Sequence, residues 1–122
     1  MTLNLGESLE DYLETLLILE ETHGKIRGVD VANRMKVSKP SVNKAMNILK
    51  EKGYVLQESY GDIHLTSVGK DYAKKIYQRH NIIAKFLIDV LHVDAKTADV
   101  EACHIEHVIS EDTFQKILEF NQ

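Results

Sequence analysis

The chain has 122 residues, 43% of them hydrophobic, which suits one compact domain or two small subdomains and excludes a disordered segment. No apolar run approaches the length of a membrane helix and no signal-peptide pattern opens the chain, so we expect a soluble, cytoplasmic protein with no membrane partner. The single cysteine, Cys103, excludes an internal disulfide and leaves the thiol for packing or for a ligand role.

The formal net charge of −4 is distributed unevenly along the chain. Residues 1–24 contain six acids and no lysine or arginine, residues 25–52 contain eight bases and two acids, and the remainder is again acidic. A basic segment inside an acidic chain is typical of a surface that meets phosphates. The alternative interpretation is an ordinary solvated helix face.

The first predicted helix begins with Ser8 as N-cap and runs to about Glu21, because its leucines recur at helical spacing. Asp11 and Glu14 stand at i and i+3 on this helix, which places two carboxylates together near its N-terminus. Acids at this end also favour the helix dipole, so the pair is a candidate ligand group only if a cation lies opposite.

A helix-turn-helix is predicted next. Gly28 opens a second helix that runs to about Met35, and Ser38 caps a third helix that has Pro40 in its first turn. The outer side of the third helix keeps small polar and basic side chains, which can bond base edges and phosphates in a major groove. We therefore predict DNA contacts from Lys36, Ser38, Lys39, Pro40, Ser41, Asn43, Lys44 and Asn47.

A β-hairpin and three further helices complete the predicted elements. Two short β-type runs, residues 54–58 and 63–66, flank a turn and form a wing after the third helix, with Tyr60 as a further DNA contact. Thr66 or Ser67 caps a long helix to about Leu91, another helix follows Asp94, and Ser110 caps the last. The fold class is thus mainly α with a small β-hairpin.

The C-terminal helices contain more large apolar residues than a domain this small can readily cover by itself. This excess predicts a dimer interface formed by Phe86, Leu87, Phe114, Leu118 and Phe120.

Residues 101–110 contain a candidate metal site. If this stretch is helical, Cys103, Glu106 and His107 stand at i, i+3 and i+4 and share one face. A thiolate, a carboxylate and an imidazole suit Fe, Mn, Co, Ni or Zn, and three ligands leave positions for another segment to fill. Taken alone, such a trio is more often a cysteine buried for packing beside two polar surface residues.

These motifs together resemble the metal-dependent repressors typified by the diphtheria toxin repressor and the manganese transport regulator. The matching segments span nearly the whole chain: E-D-Y-L-E, S-K-P-S-V-N-K, G-Y-V, L-T-S-V-G-K, Q-R-H and D-V-E-A-C-H-I-E-H-V-I-S. The resemblance implies an N-terminal winged helix-turn-helix, residues 1–66, followed by a helical dimerisation and metal-binding domain, residues 67–122.

The resemblance also implies a set of six metal ligands: Asp11, Glu14, His80, Cys103, Glu106 and His107. Asp11 and Glu14 match the manganese-type members, whereas Cys103 matches the iron type. The resemblance therefore implies Mn or Fe as the cofactor, with Co, Ni or Zn as substitutes, and leaves open which of these ions it is. Ala84 and Asp99 stand where iron-type members have accessory-site ligands, so we expect no accessory site of that kind. The alternative of a second ion on Asp11, Glu14, His80 and Glu106 stays open.

The predicted function is a metal-dependent transcriptional repressor of metal-ion homeostasis, which binds double-stranded operator DNA as a homodimer. The alternative is a metal-independent winged-helix regulator whose C-terminal helices only dimerise. A metallohydrolase with Glu14 or Glu106 as general base is a third hypothesis, but the sequence supplies no oxyanion-stabilising loop or substrate pocket. We therefore predict that the protein is not an enzyme and has no small-molecule substrate.

Overall fold

The structure, a computed structural model, describes residues 5–57 and 61–121. Those residues form six helices and one hairpin: α1 (Glu7–His23), α2 (Gly28–Met35), α3 (Lys39–Glu51), β1 (Val55–Gln57), β2 (Ile63–Leu65), α4 (Ser67–Asp89), α5 (Ala95–Ile105) and α6 (Glu111–Phe120). The prediction of a mainly α fold with a small β-hairpin is confirmed. The chain divides into two compact units, of which the first is Ser8–Lys74 and the second begins at Lys75 and takes in the described residues before Ser8. Within the described ranges, no helix combines the length and the apolarity that a membrane crossing requires.

The helix-turn-helix of the first unit follows from local capping. Lys36 ends α2 in the left-handed conformation, with φ of 57°. The Ser38 hydroxyl accepts a hydrogen bond from the Ser41 backbone N–H at 3.2 Å and so caps α3, as predicted. The inner faces of the two helices are buried through Val31, Ala32, Val42, Ala45, Met46 and Leu49. The outer face of α3 is consequently left to polar side chains.

The hairpin pairs β1 with β2 in antiparallel register, Val55 opposite Leu65 and Gln57 opposite Ile63. Val55 and Ile63 are buried, whereas Leu56 and the partner facing it, His64, are exposed, which is the alternation expected of a strand pair covered on one face. Ile26 adds an isolated bridge to Ile63, so the segment before α2 also borders the hairpin.

Two helix starts differ in detail from the sequence prediction. α1 already begins at Glu7, so Ser8 lies inside the first turn and the predicted N-cap at Ser8 is wrong. At α4, the structure decides between Thr66 and Ser67. The Thr66 hydroxyl accepts a hydrogen bond from the Gly69 N–H at 3.0 Å and donates one to the Gly53 carbonyl at 2.7 Å, so Thr66 caps the helix and ties it to the start of the hairpin.

The second unit has its own hydrophobic core between α4, α5 and α6, made of Ile83, Leu87, Ala98, Ala102 and Phe114. Arg79 is buried beside this core and donates hydrogen bonds to Glu111 at 3.1 Å and to the Ile109 carbonyl at 2.8 Å, with its guanidinium over the Phe114 ring. Leu87 and Phe114 are therefore covered within the unit, contrary to the expectation that a partner is needed to cover them. Phe120 stacks edge-on against Phe86 yet stays 64% exposed.

Capping residues set the start of the last two helices. The Asp94 carboxylate accepts a hydrogen bond from the Thr97 N–H at 3.1 Å and begins α5. Hydrogen bonds from Thr97 hold the pKa of Asp94 below its usual value. Ser110 caps α6 in the same way through the Thr113 N–H, as predicted. The short connection from Ile105 to Ser110 carries two of the predicted metal ligands.

Candidate metal centre and nucleic-acid interface

Glu106 lies at the C-terminus of α5, and its side chain is fully buried. The helix ends at Ile105. Glu106 keeps a helical backbone and donates its N–H to the Ala102 carbonyl, whereas the His107 N–H reaches the His104 carbonyl at 3.4 Å in a tighter turn. The expectation of one continuous helix carrying all three ligands is therefore wrong at His107, because the chain tightens into the turn that leads to Ser110.

Two imidazoles lie against the Glu106 carboxylate. His80 of α4 places Nδ1 3.0 Å from Oε2 of Glu106. His107 places Nε2 3.2 Å from Oε1 of the same carboxylate. Cys103 stands three residues before Glu106 on α5 and is half-buried. The structure thus brings His80, Glu106 and His107 together at the end of α5, with the Cys103 thiol on the preceding turn.

The chemistry of this group fits a divalent transition metal. Among the residues that the structure describes, Oε1 of Glu106 is buried and accepts no hydrogen bond, although His107 lies nearby. A buried carboxylate oxygen without a donor is costly, and a cation satisfies it. Two ligands bonded to one ion at about 2.1 Å lie roughly 3.0 to 3.4 Å apart, and the two nitrogen-to-oxygen separations agree with this spacing.

The two acids predicted from the first helix lie on α1. Asp11 and Glu14 are both half-buried there, in the unit Ser8–Lys74. Their neighbour Glu10 is buried and accepts a hydrogen bond from the Tyr72 hydroxyl, a structural role that the sequence analysis did not identify. The burial of Glu10 could have been predicted from the sequence, because Glu10 stands three residues before the buried Leu13 and so shares the apolar face of the helix.

The predicted DNA-contacting side chains lie on the open side of the helix-turn-helix. Every described member of the set is exposed: Lys36, Ser38, Lys39, Pro40, Ser41, Asn43, Lys44 and Asn47. Tyr60 lies outside the described residues. A cleft of about 320 Å³ runs from α2 and α3 to the hairpin, lined by Gly28, Val29, Lys39, Val42, Asn43, Gln57 and Gly61. Basic and amide side chains therefore line an open groove beside the wing.

Comparison with known proteins decides the family. Residues 4–63 match the family model described as iron dependent repressor, N-terminal DNA binding domain. Residues 66–122 match the model described as iron dependent repressor, metal binding and dimerisation domain. The chain belongs to the iron-dependent repressor family.

Individual relatives agree with this assignment. The repressor is 35% identical over 114 residues to an uncharacterised HTH-type transcriptional regulator of Methanocaldococcus jannaschii, a match that covers 93% of this chain and 91% of that protein. It is 34% identical over 116 residues to the transcriptional regulator MntR of Salmonella typhimurium, covering 95% of this chain and 73% of MntR. The solved structure of the manganese regulator SloR matches with a TM-score of 0.80 and 30% identity, over 92% of this chain. The repressor spans 52% of the SloR chain, about half its length.

The family assignment settles the class of function. Its members are transcriptional regulators, so the protein is a metal-dependent, DNA-binding transcriptional repressor and not an enzyme. The N-terminal winged helix-turn-helix is the DNA-binding part, and the helices that follow form the metal-binding and dimerisation part. The metal-independent alternative and the metallohydrolase hypothesis are not favoured.

Proposed function

We propose that the repressor binds double-stranded operator DNA as a homodimer when Mn or Fe is held by six ligands: Asp11, Glu14, His80, Cys103, Glu106 and His107. The observation that carries the proposal is the buried Glu106 carboxylate, which has an imidazole nitrogen 3.0 Å from one oxygen and another 3.2 Å from the other. We place the boundary between the DNA-binding and dimerisation domains between residues 66 and 67, so the first turns of α4 belong to the second domain although they lie in the compact unit Ser8–Lys74. We place the action of the protein in the cytoplasm.

The bound ion supplies fixed positive charge to a cluster of carboxylates. Glu106 provides the buried anionic ligand, and His80 and His107 provide neutral nitrogen ligands on either side of it. The Cys103 thiolate adds a softer donor, which favours a transition metal over Mg²⁺ or Ca²⁺. Asp11 and Glu14 complete the set from α1, and this part of the proposal rests on the sequence pattern and the family resemblance.

On the DNA side, α3 serves as the recognition helix. Lys39 and Lys44 are exposed cations that reach phosphates, whereas Ser41, Asn43 and Asn47 are exposed polar side chains suited to base edges. The buried inner face of α3 fixes its orientation through Val42, Ala45, Met46 and Leu49. The hairpin beside the helix provides the wing.

The homodimer is supported by apolar side chains that the second unit leaves exposed. Among its described residues these include Tyr77, Ile88, Leu91, Val100, Val108 and Phe120, each with more than a third of its surface open to solvent. A two-fold dimer places two recognition helices one DNA turn apart, about 34 Å, and so reads a palindromic site. Sedimentation at micromolar concentration checks this, and a monomer both with and without metal contradicts it.

A DNA-binding titration tests the function as a whole. The full chain is titrated onto palindromic operator candidates taken from DNA upstream of metal-transport genes, without metal and with Mn²⁺, Fe²⁺ under anaerobic conditions, Co²⁺ or Zn²⁺. We expect tight binding only with metal. Because raw affinity rises from Mn²⁺ to Co²⁺ at most sites of this kind, the physiological ion is the one that activates binding at its own free concentration in the cell. Equal affinity in chelator and in metal contradicts the proposal and supports the metal-independent alternative.

A further inference from the structure

A second carboxylate contacts the imidazole of His80 on the side away from Glu106. Asp99 of α5 places Oδ1 2.8 Å from Nε2 of His80, while Nδ1 of the same ring lies 3.0 Å from Glu106. His80 thus lies between two carboxylates, one on each ring nitrogen. Glu106 is buried, and the Asp99 side chain is 75% exposed, so the ring has an inner and an outer side.

The two contacts have different chemical consequences. A neutral imidazole carries one N–H and one lone pair, and whichever nitrogen donates to a carboxylate leaves the other as the metal ligand. The Asp99 carboxylate is a strong acceptor for an N–H at Nε2. With the proton held there, the lone pair of Nδ1 faces Glu106, on the buried side that also contains His107.

The spacing of residues along α5 places Asp99 on the same face of the helix as two of the proposed ligands. Asp99 precedes Cys103 by four residues and Glu106 by seven, so the three side chains follow one face of α5 toward its C-terminus. Ala98 and Ala102 on the adjacent face are fully buried, which holds α5 close to α4. Asp99 therefore meets His80 at the outer edge of the group and Glu106 meets it at the inner edge.

We propose that Asp99 is a positioning residue, which holds Nε2–H of His80 and directs Nδ1 of His80 to the metal. This inference rests on the proposed function, because it takes His80 as a ligand. Metal-bound histidines commonly donate their second N–H to a carboxylate, which fixes the ring and raises the basicity of the ligating nitrogen. Asp99 acts here through His80 and does not itself bind the ion.

NMR can identify directly which ring nitrogen of His80 binds the metal. The full chain, labelled with ¹⁵N-histidine and loaded with diamagnetic Zn²⁺, is examined by NMR. We expect His80 to show a protonated Nε2 whose hydrogen exchanges slowly with water, and an Nδ1 shift typical of a metal-bound nitrogen. A metal-bound Nε2 in wild-type protein, including one shared with a second ion on Asp99, overturns the inference.

Variants of Asp99 supply the second readout. Asp99→Ala should lower Zn²⁺ affinity about tenfold or more and speed exchange of the His80 Nε2–H, as expected for loss of an outer-shell partner. Asp99→Glu should recover part of both properties, because it restores a carboxylate. Glu101→Ala is the matched control, since it removes an exposed acid from the same helix. Equal Zn²⁺ affinity and equal His80 Nε2–H exchange in the Asp99→Ala and Glu101→Ala proteins would show that only net charge matters and would overturn the inference.

His80→Ala separates this inference from the proposed function. If that variant keeps wild-type Zn²⁺ affinity and stoichiometry, the ligand role of His80 is wrong, and with it the positioning role. If the His80→Ala protein loses affinity while Asp99→Ala keeps wild-type affinity and Nε2–H exchange, the metal site stands and the positioning role alone is wrong.

Discussion

The proposed metal group depends on one buried carboxylate. Glu106 is fully buried, with an imidazole near each oxygen, and one of those oxygens accepts no hydrogen bond within the described part of the chain. Such a group is poorly satisfied in the metal-free protein, because burial removes water from it and the neighbouring nitrogens satisfy it only in part. The free energy of unfolding of the protein should therefore depend strongly on whether a cation is bound at Glu106.

Glu106→Gln should abolish the stabilisation that metal gives to the protein. A ligand present at a hundred times its Kd stabilises the folded state by about 2.7 kcal/mol, and wild-type protein should show a gain of this order with Mn²⁺. The amide has the shape of the carboxylate but lacks its charge, so the variant should gain little. Urea denaturation of both proteins in chelator and in Mn²⁺ measures the difference, and a wild-type gain in the Glu106→Gln protein contradicts the role of Glu106.

The exposed side chains of α3 divide into two kinds. Lys39→Ala and Lys44→Ala should weaken binding to every DNA sequence and reduce the slope of log affinity against log salt by about one each, because each removes a phosphate contact. Asn43→Ala should instead change the preference among operator sequences.

The charge-matched control for the two lysine variants is Lys96→Ala, which removes an exposed lysine from α5. Gel-shift titrations over a series of salt concentrations give these values. Unchanged affinity and slope in both lysine variants would show that α3 is not the DNA-facing helix.

Hydrogen bonds fix the start of α4 to the hairpin. Thr66 caps the helix and bonds the Gly53 carbonyl, and the Thr66 N–H donates to the Tyr54 carbonyl at 3.1 Å. Tyr54 and Tyr72 also contact edge to face. The first turn of α4 thus lies directly against the backbone that enters β1, and this holds the wing in place beside the helix-turn-helix.

Gly69→Ala should disrupt that junction. A Cβ at Gly69 would lie 1.9 Å from the Tyr54 carbonyl oxygen, which is backbone and cannot rotate away. We expect a loss of about 3 kcal/mol or more in the free energy of unfolding, because overpacking against backbone forces the helix and hairpin apart. Gly28→Ala is the control: a Cβ there meets no atom within 4 Å, so alanine should be neutral or slightly stabilising. Equal stability of the two variants by thermal and urea denaturation would contradict this account of the junction.

The proposed metal ligands come from both units of the chain. Asp11 and Glu14 belong to Ser8–Lys74, whereas His80, Cys103, Glu106 and His107 belong to the unit that begins at Lys75. Under the proposed function, shared coordination couples the DNA-binding unit to the unit that dimerises. A preference of about 3 kcal/mol for the DNA-binding arrangement is enough for a switch of roughly a hundredfold.

Glu14→Ala and His107→Ala remove one ligand from each unit and should give the same phenotype. Each variant should keep the fold and the dimer yet lose the metal-stimulated part of DNA binding, because neither unit alone supplies the full set. Sedimentation checks the dimer, circular dichroism checks the fold, and the operator titration checks activation. Wild-type activation by metal in both proteins contradicts the coupling mechanism.

Features that depend on short-range interactions could be predicted from the amino-acid sequence alone. The bounds of α2 and α3 follow from Gly28, Ser38 and Pro40, whose effects act within one turn of helix. The exposed face of α3 follows from helical spacing alone. The fold class was also readable, because helical and alternating patterns are properties of the residues themselves. The donor types of the proposed metal ligands are likewise given by the sequence, and their ligand role stays a prediction.

The pairings between distant residues could not be predicted from the sequence and follow from how the helices pack. His80 and Glu106 are 26 positions apart, and their contact depends on how α4 and α5 pack. The packing of α4 against α5 also brings Asp99 to His80. A separate contact, between α1 and the first turns of α4, lets the Tyr72 hydroxyl donate a hydrogen bond to the buried Glu10. The turn at His107 likewise depends on where α6 must begin. These outcomes follow from the burial of apolar faces across the fold, and no local pattern of hydrogen bonds or side-chain spacing specifies them.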